Sequence, residues 1–442
     1  MTSLHRSKLL SVFEKHENSI LFIKGASIAF RYNTDHEMAF RQESNFLYLT
    51  GIHEPDFSCM LDLSTGEYLL FAPKRDTKYA VWNGYITPQE TYKSRYEPDA
   101  IYYDTDIEAV LKKKNPKLVY CLDETQAQEI RKLGFTVNSD SLMAAITECR
   151  VIKTEWEMVQ MRIAGKVTSE AHTEVMRYTK PGLKEYQLKA VFEGVGAKYN
   201  CFQQAFSGIY GAGKNSAVLH YQERLDELKS GELVLVDAGL EYNGYAGDVT
   251  RTYPVNGKFT ETQASIYQIC LDAHNATIEA IKPGVLTEDL HLLAAQTIIS
   301  GLKDMNLVYG EVEELMDQNL FALFFPHGLG HFLGIDTHDV GGYKKGVEPI
   351  QRPGIQYLRT RRELEPGMVL TIEPGLYFIP PLLLPAFKNP AQQKFLNIPE
   401  LTKLLDFGGI RIEDDIHVSE TGYENLTDVP KSIADIENEM DN

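Results

Sequence analysis

Short apolar runs alternate with helical patterns over residues 1–150. The apolar runs predict strands and the 3.6-residue periodicity predicts helices, with strands at 19–23, 26–30, 59–62, 68–71 and 117–121 and helices at 107–113 and 124–133. Strands that alternate with helices are typical of a mixed sheet. This part of the sequence has no phosphate-binding glycine loop and no cluster of catalytic residue types.

The pattern changes after Arg150. Residues 153–178 carry apolar side chains at helical spacing, and Pro181 and Gly182 end that helix before a second one at 185–199. We therefore predict a domain boundary near residue 150, with a smaller α/β amino-terminal domain at 1–150 and a second domain at 151–442. A chain of 442 residues is also too long for one ordinary core.

A hairpin in the second domain brings two aspartates together. An apolar strand at 233–236 leads into Asp237, and Asn243 with Gly244 is the strongest short hairpin signal. The returning strand then carries Asp248 opposite Asp237, or nearly so. Like charges in this position are destabilising unless a cation lies between them. The alternative is a pair of surface aspartates on an edge hairpin, which the apolar run before Asp237 disfavours.

Two further carboxylates follow apolar or alternating strands. Residues 368–372 lead into Glu373, and the alternation at 409–413 places Arg411 and Glu413 on one face. Taken singly, each carboxylate is also compatible with a satisfied core position or a solvated face.

Residues 325–339 concentrate histidines and glycines. Three of the twelve histidines lie here, and the glycines between them argue against a helix, at His327, His331, His338, Gly328, Gly330 and Gly334. We predict extended or looped backbone that approaches a ligand closely. The alternative is a glycine-rich loop with incidental histidines.

Together these residues predict a metal centre. Four carboxylates and an imidazole are hard to hold in one core without a cation. Oxygen-rich ligation with one imidazole suits Mn²⁺, Co²⁺, Fe²⁺ or Zn²⁺, and four carboxylates neutralise two divalent ions. A binuclear hydrolytic centre, in which the metals activate water and polarise a carbonyl, follows as a hypothesis.

Composition excludes several other classes. The net charge of −18 disfavours nucleic acid as a partner, and no basic run offsets it. No apolar run reaches the roughly 18 residues of a membrane helix, so we expect no membrane partner. The five cysteines are scattered, which is typical of reduced thiols, and the start of the chain lacks a secretory apolar segment. We predict a cytoplasmic protein.

Five motifs carry the acidic residues and the central histidine, namely Val-Asp237-Ala-Gly, Gly-Asp248-Val-Thr-Arg-Thr, His-Gly-Leu-Gly-His331-Phe-Leu-Gly, Ile-Glu373-Pro-Gly and Arg-Ile-Glu413-Asp. They resemble the ligand motifs of the pita-bread metallopeptidases, the peptidase M24 family. That resemblance implies an α+β fold, with a pita-bread (creatinase/aminopeptidase-like) catalytic domain preceded by a smaller α/β domain. The block at 327–343 and the Asn215-to-Tyr221 motif are similar to both prolidase and aminopeptidase P. Arg359-Thr360 and residues 148–154 are most similar to the prolidase branch, which hydrolyses Xaa-Pro dipeptides.

The resemblance also implies roles for individual residues. Two divalent ions, Mn²⁺ in first place with Co²⁺ or Zn²⁺ as alternatives, would be held by Asp237, Asp248, His331, Glu373 and Glu413. Glu373 would also be the general base. His220, His327 and His338 would surround the scissile carbonyl, and Arg359 would bind the carboxylate of the substrate.

Trp82 has two interpretations. From the residues alone it is a core or hairpin aromatic. The resemblance instead implies that it reaches the active site of a neighbouring subunit, which predicts a homodimer.

One departure from the family pattern falls on Phe206, where relatives place a tyrosine near the metals. Tyr199 and Tyr210 are the candidates to supply the missing hydroxyl. Two rival functions remain. The first is an aminopeptidase P that acts on longer peptides, and the second is a non-enzymatic pita-bread module, which the five intact ligand positions disfavour.

Overall fold

The computed structural model describes residues 2–13 and 17–441 and divides into two units, Met1–Arg150 and Val151–Asn442. The elements of the first unit are, in chain order, α1 Ser3–Val12, β1 Ser19–Lys24, α2 Ser44–Thr50, β2 Ser58–Asp62, β3 Tyr68–Ala72, α3 Thr77–Asn83, α4 Gln89–Tyr96, β4 Ala100–Tyr103, α5 Ile107–Lys114, β5 Leu118–Tyr120, α6 Glu124–Lys132, β6 Val137–Asn138 and α7 Ser141–Val151.

A six-stranded sheet organises the first unit, in the order β4-β3-β2-β1-β5-β6. β1 pairs antiparallel with β2 and parallel with β5, so the predicted mixed sheet is confirmed. Its inward side chains, among them Phe22, Phe71 and Val119, form a core with α5 and α6.

Residues 26–30 form no strand, so that prediction is wrong. The backbone N–H of Ala26 donates to Oε1 of Gln42 at 2.6 Å, and Phe30 makes a single bridge to Glu37. The Asp56 N–H donates to the Ala26 carbonyl at 2.9 Å, and the Met38 N–H donates to the Ala29 carbonyl at 2.8 Å. Because a side chain and loop backbone satisfy these groups, the stretch needs no neighbouring strand. A short apolar run does not reveal such a partner.

The second unit contains the remaining elements, namely α8 Glu155–Tyr178, α9 Glu185–Lys198, β7 Ile209–Ala212, β8 Leu233–Ala238, β9 Glu241–Tyr242, β10 Tyr245–Ala246, β11 Val249–Pro254, α10 Glu261–Glu279, α11 Thr287–Asp304, α12 Val312–Asp317, β12 Val369–Ile372, β13 Gly375–Tyr377, α13 Pro380–Ala386, α14 Pro390–Gln393, α15 Ile398–Lys403, β14 Gly409–Arg411, β15 Asp414–Val418, β16 Tyr423–Asn425 and α16 Ile433–Met440. None of the helices in the described part of the chain has the length and apolar content to cross a membrane.

Helix α8 begins at Glu155, two residues later than predicted. The Thr154 hydroxyl caps it by accepting from the Glu157 N–H, and the Glu157 carboxylate accepts from the Thr154 N–H. This reciprocal capping box satisfies two donors at the helix start and leaves Lys153 outside the helix.

Three small sheets of the second unit position the acidic residues, with Asp237 on β8 and Asp248, Glu373 and Glu413 next to strand ends. They run β11-β8-β7, β12-β15-β16 and β13-β14. A bridge between Thr250 and Glu413 joins the first sheet to the segment between β14 and β15, and a bridge between Phe332 and Leu370 joins the histidine-rich segment to β12.

The hairpin prediction is confirmed in its register. Asn243 and Gly244 both have positive φ, of 49° and 82°, as a two-residue hairpin turn requires. Asp237 then pairs with Thr250, so Asp248 lies diagonally across from Asp237. The two carboxylates therefore occupy neighbouring positions on one ribbon.

Candidate active site

A cavity of about 350 Å³ in the second unit gathers most of the predicted site residues. Its lining includes Asp237, Asp248, His331, Glu373, Glu413, His220, His327, His338, Arg359, Arg411 and Phe206. The acidic residues form what we term the carboxylate side, made of Asp237, Asp248, Glu373 and Glu413. His220, His338 and Arg359 form what we term the open side, because all three are exposed.

The histidine-rich segment is irregular backbone laid along β12, as its glycines predicted. The Thr371 N–H donates to the His331 carbonyl at 2.9 Å, and the Glu373 N–H donates to the Leu329 carbonyl at 2.8 Å. A Cβ at Gly330 would overlap the Thr371 carbonyl oxygen, so only glycine permits this approach. The contact fixes His331 and Glu373 relative to each other.

The structure contains a group with the geometry of a metal site. Ligand atoms of Asp248, His331 and Glu413 all lie within 4.8 Å of one another. His331 Nε2 lies 3.3 Å from Asp248 Oδ2 and 3.6 Å from Glu373 Oε1. Asp237 lines the same cavity and lies beside Asp248 on the hairpin ribbon.

Two buried oxygens in this cluster have no hydrogen-bond partner among the described residues, Asp237 Oδ1 and Asp248 Oδ1. A buried acceptor without a partner is costly, and a carboxylate more so. Divalent cations would satisfy both oxygens, so the donor set fits a metal centre.

The protonation of the cluster supports the same conclusion. Burial raises the pKa of Glu373 to about 7, with His331 and Arg411 opposing the shift. Burial and the neighbouring Asp237 hold the pKa of Asp248 well above its usual range, and burial with Asp248 does so for Glu413. These carboxylates are therefore short of positive charge as they stand.

Arg411 is the cation of the carboxylate side. It is buried, and its guanidinium contacts Asp237 Oδ2, the Tyr377 hydroxyl at 2.7 Å and Thr250 Oγ1 at 3.3 Å. Thr250 in turn donates to Glu413 Oε2 at 2.6 Å. The Arg411 guanidinium is thus the centre of a hydrogen-bond network, which we term the web, that includes two of the four carboxylates, Asp237 and Glu413.

His327 continues this web. Burial lowers the pKa of its imidazole to about 3, so the ring is neutral and has one N–H. Nδ1 lies 2.7 Å from the Gly328 carbonyl, which can only accept, and Nε2 lies 2.9 Å from the Tyr377 hydroxyl. The hydrogen-bond pattern therefore runs from Arg411 to Tyr377 to His327, and it engages both ring nitrogens.

The open side differs in its bonding. His338 stacks edge-on against His331, with 4.4 Å between ring centroids. Within residues 2–13 and 17–441, the side chains of His220 and Arg359 have no hydrogen bond or ion pair. They are available to a bound ligand.

Two regions of the chain match known protein families. Residues 159–420 match the metallopeptidase family M24, and residues 3–120 match the amino-terminal domain of aminopeptidase P. The chain belongs to the M24 metallopeptidase family.

Individual proteins are similar in sequence to nearly the whole chain. The chain is 40% identical to the Xaa-Pro dipeptidase of Homo sapiens, over 98% of this chain and 92% of that protein. It is 36% identical to a probable Xaa-Pro aminopeptidase of Verticillium alfalfae, covering 95% and 92%. The solved structure of Pseudomonas aeruginosa aminopeptidase PepP superposes with a TM-score of 0.85 at 32% identity, covering 100% and 97%. The predicted pita-bread fold is therefore confirmed.

Phe206 lines the cavity. Neither proposed substitute reaches the cavity. The Tyr199 hydroxyl is bonded to Glu170 at 2.6 Å, and Tyr210 is fully buried beside Gln204. The phenol that the structure does bring to the carboxylate side is Tyr377, which was not among the predicted site residues. Tyr377 pairs with Gly409, where any Cβ would overlap its ring, and this contact between separate strands has no local sequence signal.

Trp82 lies on α3 in the first unit, and 80% of its side chain is exposed. The alternative interpretation of Trp82 from the residues alone, a core or hairpin aromatic, is therefore wrong. An exposed tryptophan is compatible with an intermolecular contact, and its contact with a substrate stays a prediction.

Proposed function

We propose that this chain hydrolyses the Xaa-Pro bond of dipeptides and releases proline. The observation that carries the proposal is Arg359, an exposed guanidinium without a partner in the described chain, which lines the same cavity as the carboxylate side. A free carboxylate one residue beyond the scissile bond is what such a planar donor binds best. The similarity to the human Xaa-Pro dipeptidase supports the same substrate class.

Asp237, Asp248, His331, Glu373 and Glu413 would hold two divalent ions, with Mn²⁺ as the proposed metal and Co²⁺ or Zn²⁺ as alternatives. The unpartnered oxygens of Asp237 and Asp248 support this assignment. Bound ions supply Lewis-acid polarisation of the carbonyl and lower the pKa of water.

The residues of the chain then divide the work. Glu373, whose carboxyl pKa is about 7 in the metal-free cluster, accepts the proton of the attacking water and returns it to the proline nitrogen. His220 and His338 donate to the carbonyl oxygen as it gains charge. The predicted catalytic residue His327 is assigned to orienting the Tyr377 hydroxyl, because both of its nitrogens are engaged.

The cavity can accept proline because it needs no hydrogen-bond acceptor for the nitrogen of the scissile bond. The tertiary amide of an Xaa-Pro bond has no N–H.

A second candidate function is removal of the residue before proline from longer peptides. The fungal relative and the solved structure are both named as aminopeptidases, which favours it. Release of proline from Gly-Pro, compared with cleavage of Gly-Pro-Ala, with and without added Mn²⁺, separates the two. We expect Gly-Pro to be cut much faster. Faster cleavage of Gly-Pro-Ala would assign the aminopeptidase function instead.

We also propose a homodimer in which Trp82 contacts the substrate bound by the neighbouring subunit. The exposure of Trp82 supports a contact outside its own chain. A cytoplasmic location is proposed from the five cysteines, all of which are free and buried. Light scattering at assay concentration tests the dimer, and a fully active monomer would contradict it.

A further inference from the structure

His220 has no hydrogen bond of its own in the described chain, although it lines the cavity. It follows β7 on a loop that begins with a 3₁₀ turn, Gly213–Ala217. An exposed imidazole on a loop can serve a reaction only if the backbone around it is held. The residue that holds this loop lies behind it.

Glu185, the first residue of α9, is a fully buried carboxylate that faces the loop. It accepts from the Ala212 N–H at 2.8 Å and from Asn215 Nδ2 at 3.1 Å. It also accepts from the Tyr221 hydroxyl at 2.8 Å and from the Asp226 N–H at 3.3 Å. All four donors belong to the stretch 212–226, which contains His220.

Asn215 closes the network from the other side. Its Nδ2 also lies 3.0 Å from the Tyr221 hydroxyl and 2.9 Å from Asp226 Oδ2. Tyr221 is nine-tenths buried, so its ring and hydroxyl are fixed at the same time. Since Tyr221 is the next residue after His220, fixing it limits the directions that the imidazole can take.

We propose that Glu185, Asn215 and Tyr221 are positioning residues that hold His220 against the scissile carbonyl. The proposal rests on the function proposed above, in which His220 stabilises the oxyanion. A buried carboxylate with four donors is a rigid anchor, because the loss of any donor would leave a buried carboxylate oxygen short of a hydrogen bond. In this proposal the Glu185 network affects catalysis only through the His220 side chain, so the effect of breaking the network should depend on His220.

The test is a double-mutant cycle between Tyr221→Phe and His220→Ala in the metal-loaded full chain, with Gly-Pro as substrate. We expect Tyr221→Phe to lower kcat by about tenfold with KM nearly unchanged, because the lost interaction belongs to the transition state. In the His220→Ala background, Tyr221→Phe should have no further effect. Metal content should equal that of the wild type in all four proteins.

Tyr267→Phe is the matched control. It removes a buried tyrosine hydroxyl that donates to the Lys431 carbonyl at 2.8 Å, at a place outside the cavity lining. Its thermal shift should be no larger than that of Tyr221→Phe, because the Tyr267 hydroxyl makes one neutral hydrogen bond, and its kcat should be unchanged. If Tyr221→Phe does not fold, Asn215→Ser serves in the same cycle, since it leaves Tyr221 bonded to Glu185.

Two outcomes would overturn the proposal, and they are distinguishable. Additive losses in the cycle would mean that Tyr221 acts independently of His220, and the proposed dipeptidase function would stand. An unchanged kcat for His220→Ala would remove the role of His220 itself, and the positioning role with it.

Discussion

The two sides of the cavity differ in how their polar groups are satisfied. On the carboxylate side, Arg411 links Asp237 to Tyr377, and Thr250 holds Glu413. On the open side, His220 and Arg359 have no polar partner within the described residues. The carboxylate side therefore has hydrogen-bond partners but too little positive charge. The open side has polar side chains that only a ligand would pair. This division suits an enzyme whose cofactor is resident and whose substrate exchanges.

The largest effect should follow from removing the charge that the carboxylate side needs. Exhaustive chelation should abolish hydrolysis of Gly-Pro, and Mn²⁺ or Co²⁺ should restore it. Glu373→Gln should lower kcat by about 10²–10⁴-fold, the usual contribution of a general base. Cys201→Ser is the control and should change little, because the buried Cys201 lies outside the cavity lining. Full activity in protein shown by elemental analysis to be metal-free would contradict the binuclear assignment.

Removal of the buried cation of the carboxylate side, Arg411, should have the next largest effect. Arg411→Gln leaves Asp237 buried and unpaired, which typically costs about 3–5 kcal/mol of stability. Bound divalent ions would replace part of the lost charge, so the loss in Tm should be greater in metal-free than in metal-loaded protein. Calorimetry of both forms measures the difference.

Arg162→Gln provides the control for Arg411. Arg162 pairs with Glu424 at the surface, where an ion pair is worth about 0–1 kcal/mol. Its Tm should respond equally little with and without metal. If Arg411→Gln lowers Tm equally with and without metal, the bound ions do not compensate for the charge that Arg411 supplies to the carboxylates.

The contrast between the sides also explains what the sequence could predict. The register of the Asp237 and Asp248 ribbon follows from one local feature, the Asn243-Gly244 turn. The glycine-rich backbone beside β12 follows from the chemistry of glycine itself. Local signals of this kind do not depend on the rest of the fold.

The Arg411, Tyr377 and His327 web was not predictable in the same way. Its members come from β14, β13 and the histidine-rich segment, and their contacts depend on how separate sheets meet. The sequence placed Arg411 on the face of Glu413 but gave no partner for it. The wrong strand prediction at 26–30 has a similar cause, since the Gln42 side chain and backbone groups of other loops bond to this stretch.

On the open side, the largest expected effect is that of Arg359. A charge-assisted pair with the proline carboxylate is worth about 1.5–3 kcal/mol, which corresponds to about ten- to a hundred-fold in kcat/KM. Arg359→Ala should therefore weaken Gly-Pro hydrolysis by that factor and leave Gly-Pro-Ala nearly unchanged. Its Tm should not fall, because Arg359 has no partner to lose in the described chain.

Arg361→Ala is the matched control for that experiment. Arg361 lies two residues along the same segment, but it is bonded to Glu288 at 2.7 Å. Its loss should lower Tm slightly without changing the preference for the dipeptide. If Arg359→Ala keeps the wild-type preference, the carboxylate of the substrate is bound by another residue.

The smallest effect should come from Phe206, which lies in the cavity lining with no hydroxyl to contribute. Phe206→Tyr adds one neutral hydrogen-bonding group, which is worth about 0.5–1.5 kcal/mol if it reaches the substrate or the nearby histidines. We therefore expect kcat to rise by no more than about tenfold. Tyr199→Phe, which removes an exposed hydroxyl bonded to Glu170, should leave kcat unchanged. A loss of activity in Phe206→Tyr would instead show that the phenyl ring fills space that a hydroxyl cannot share.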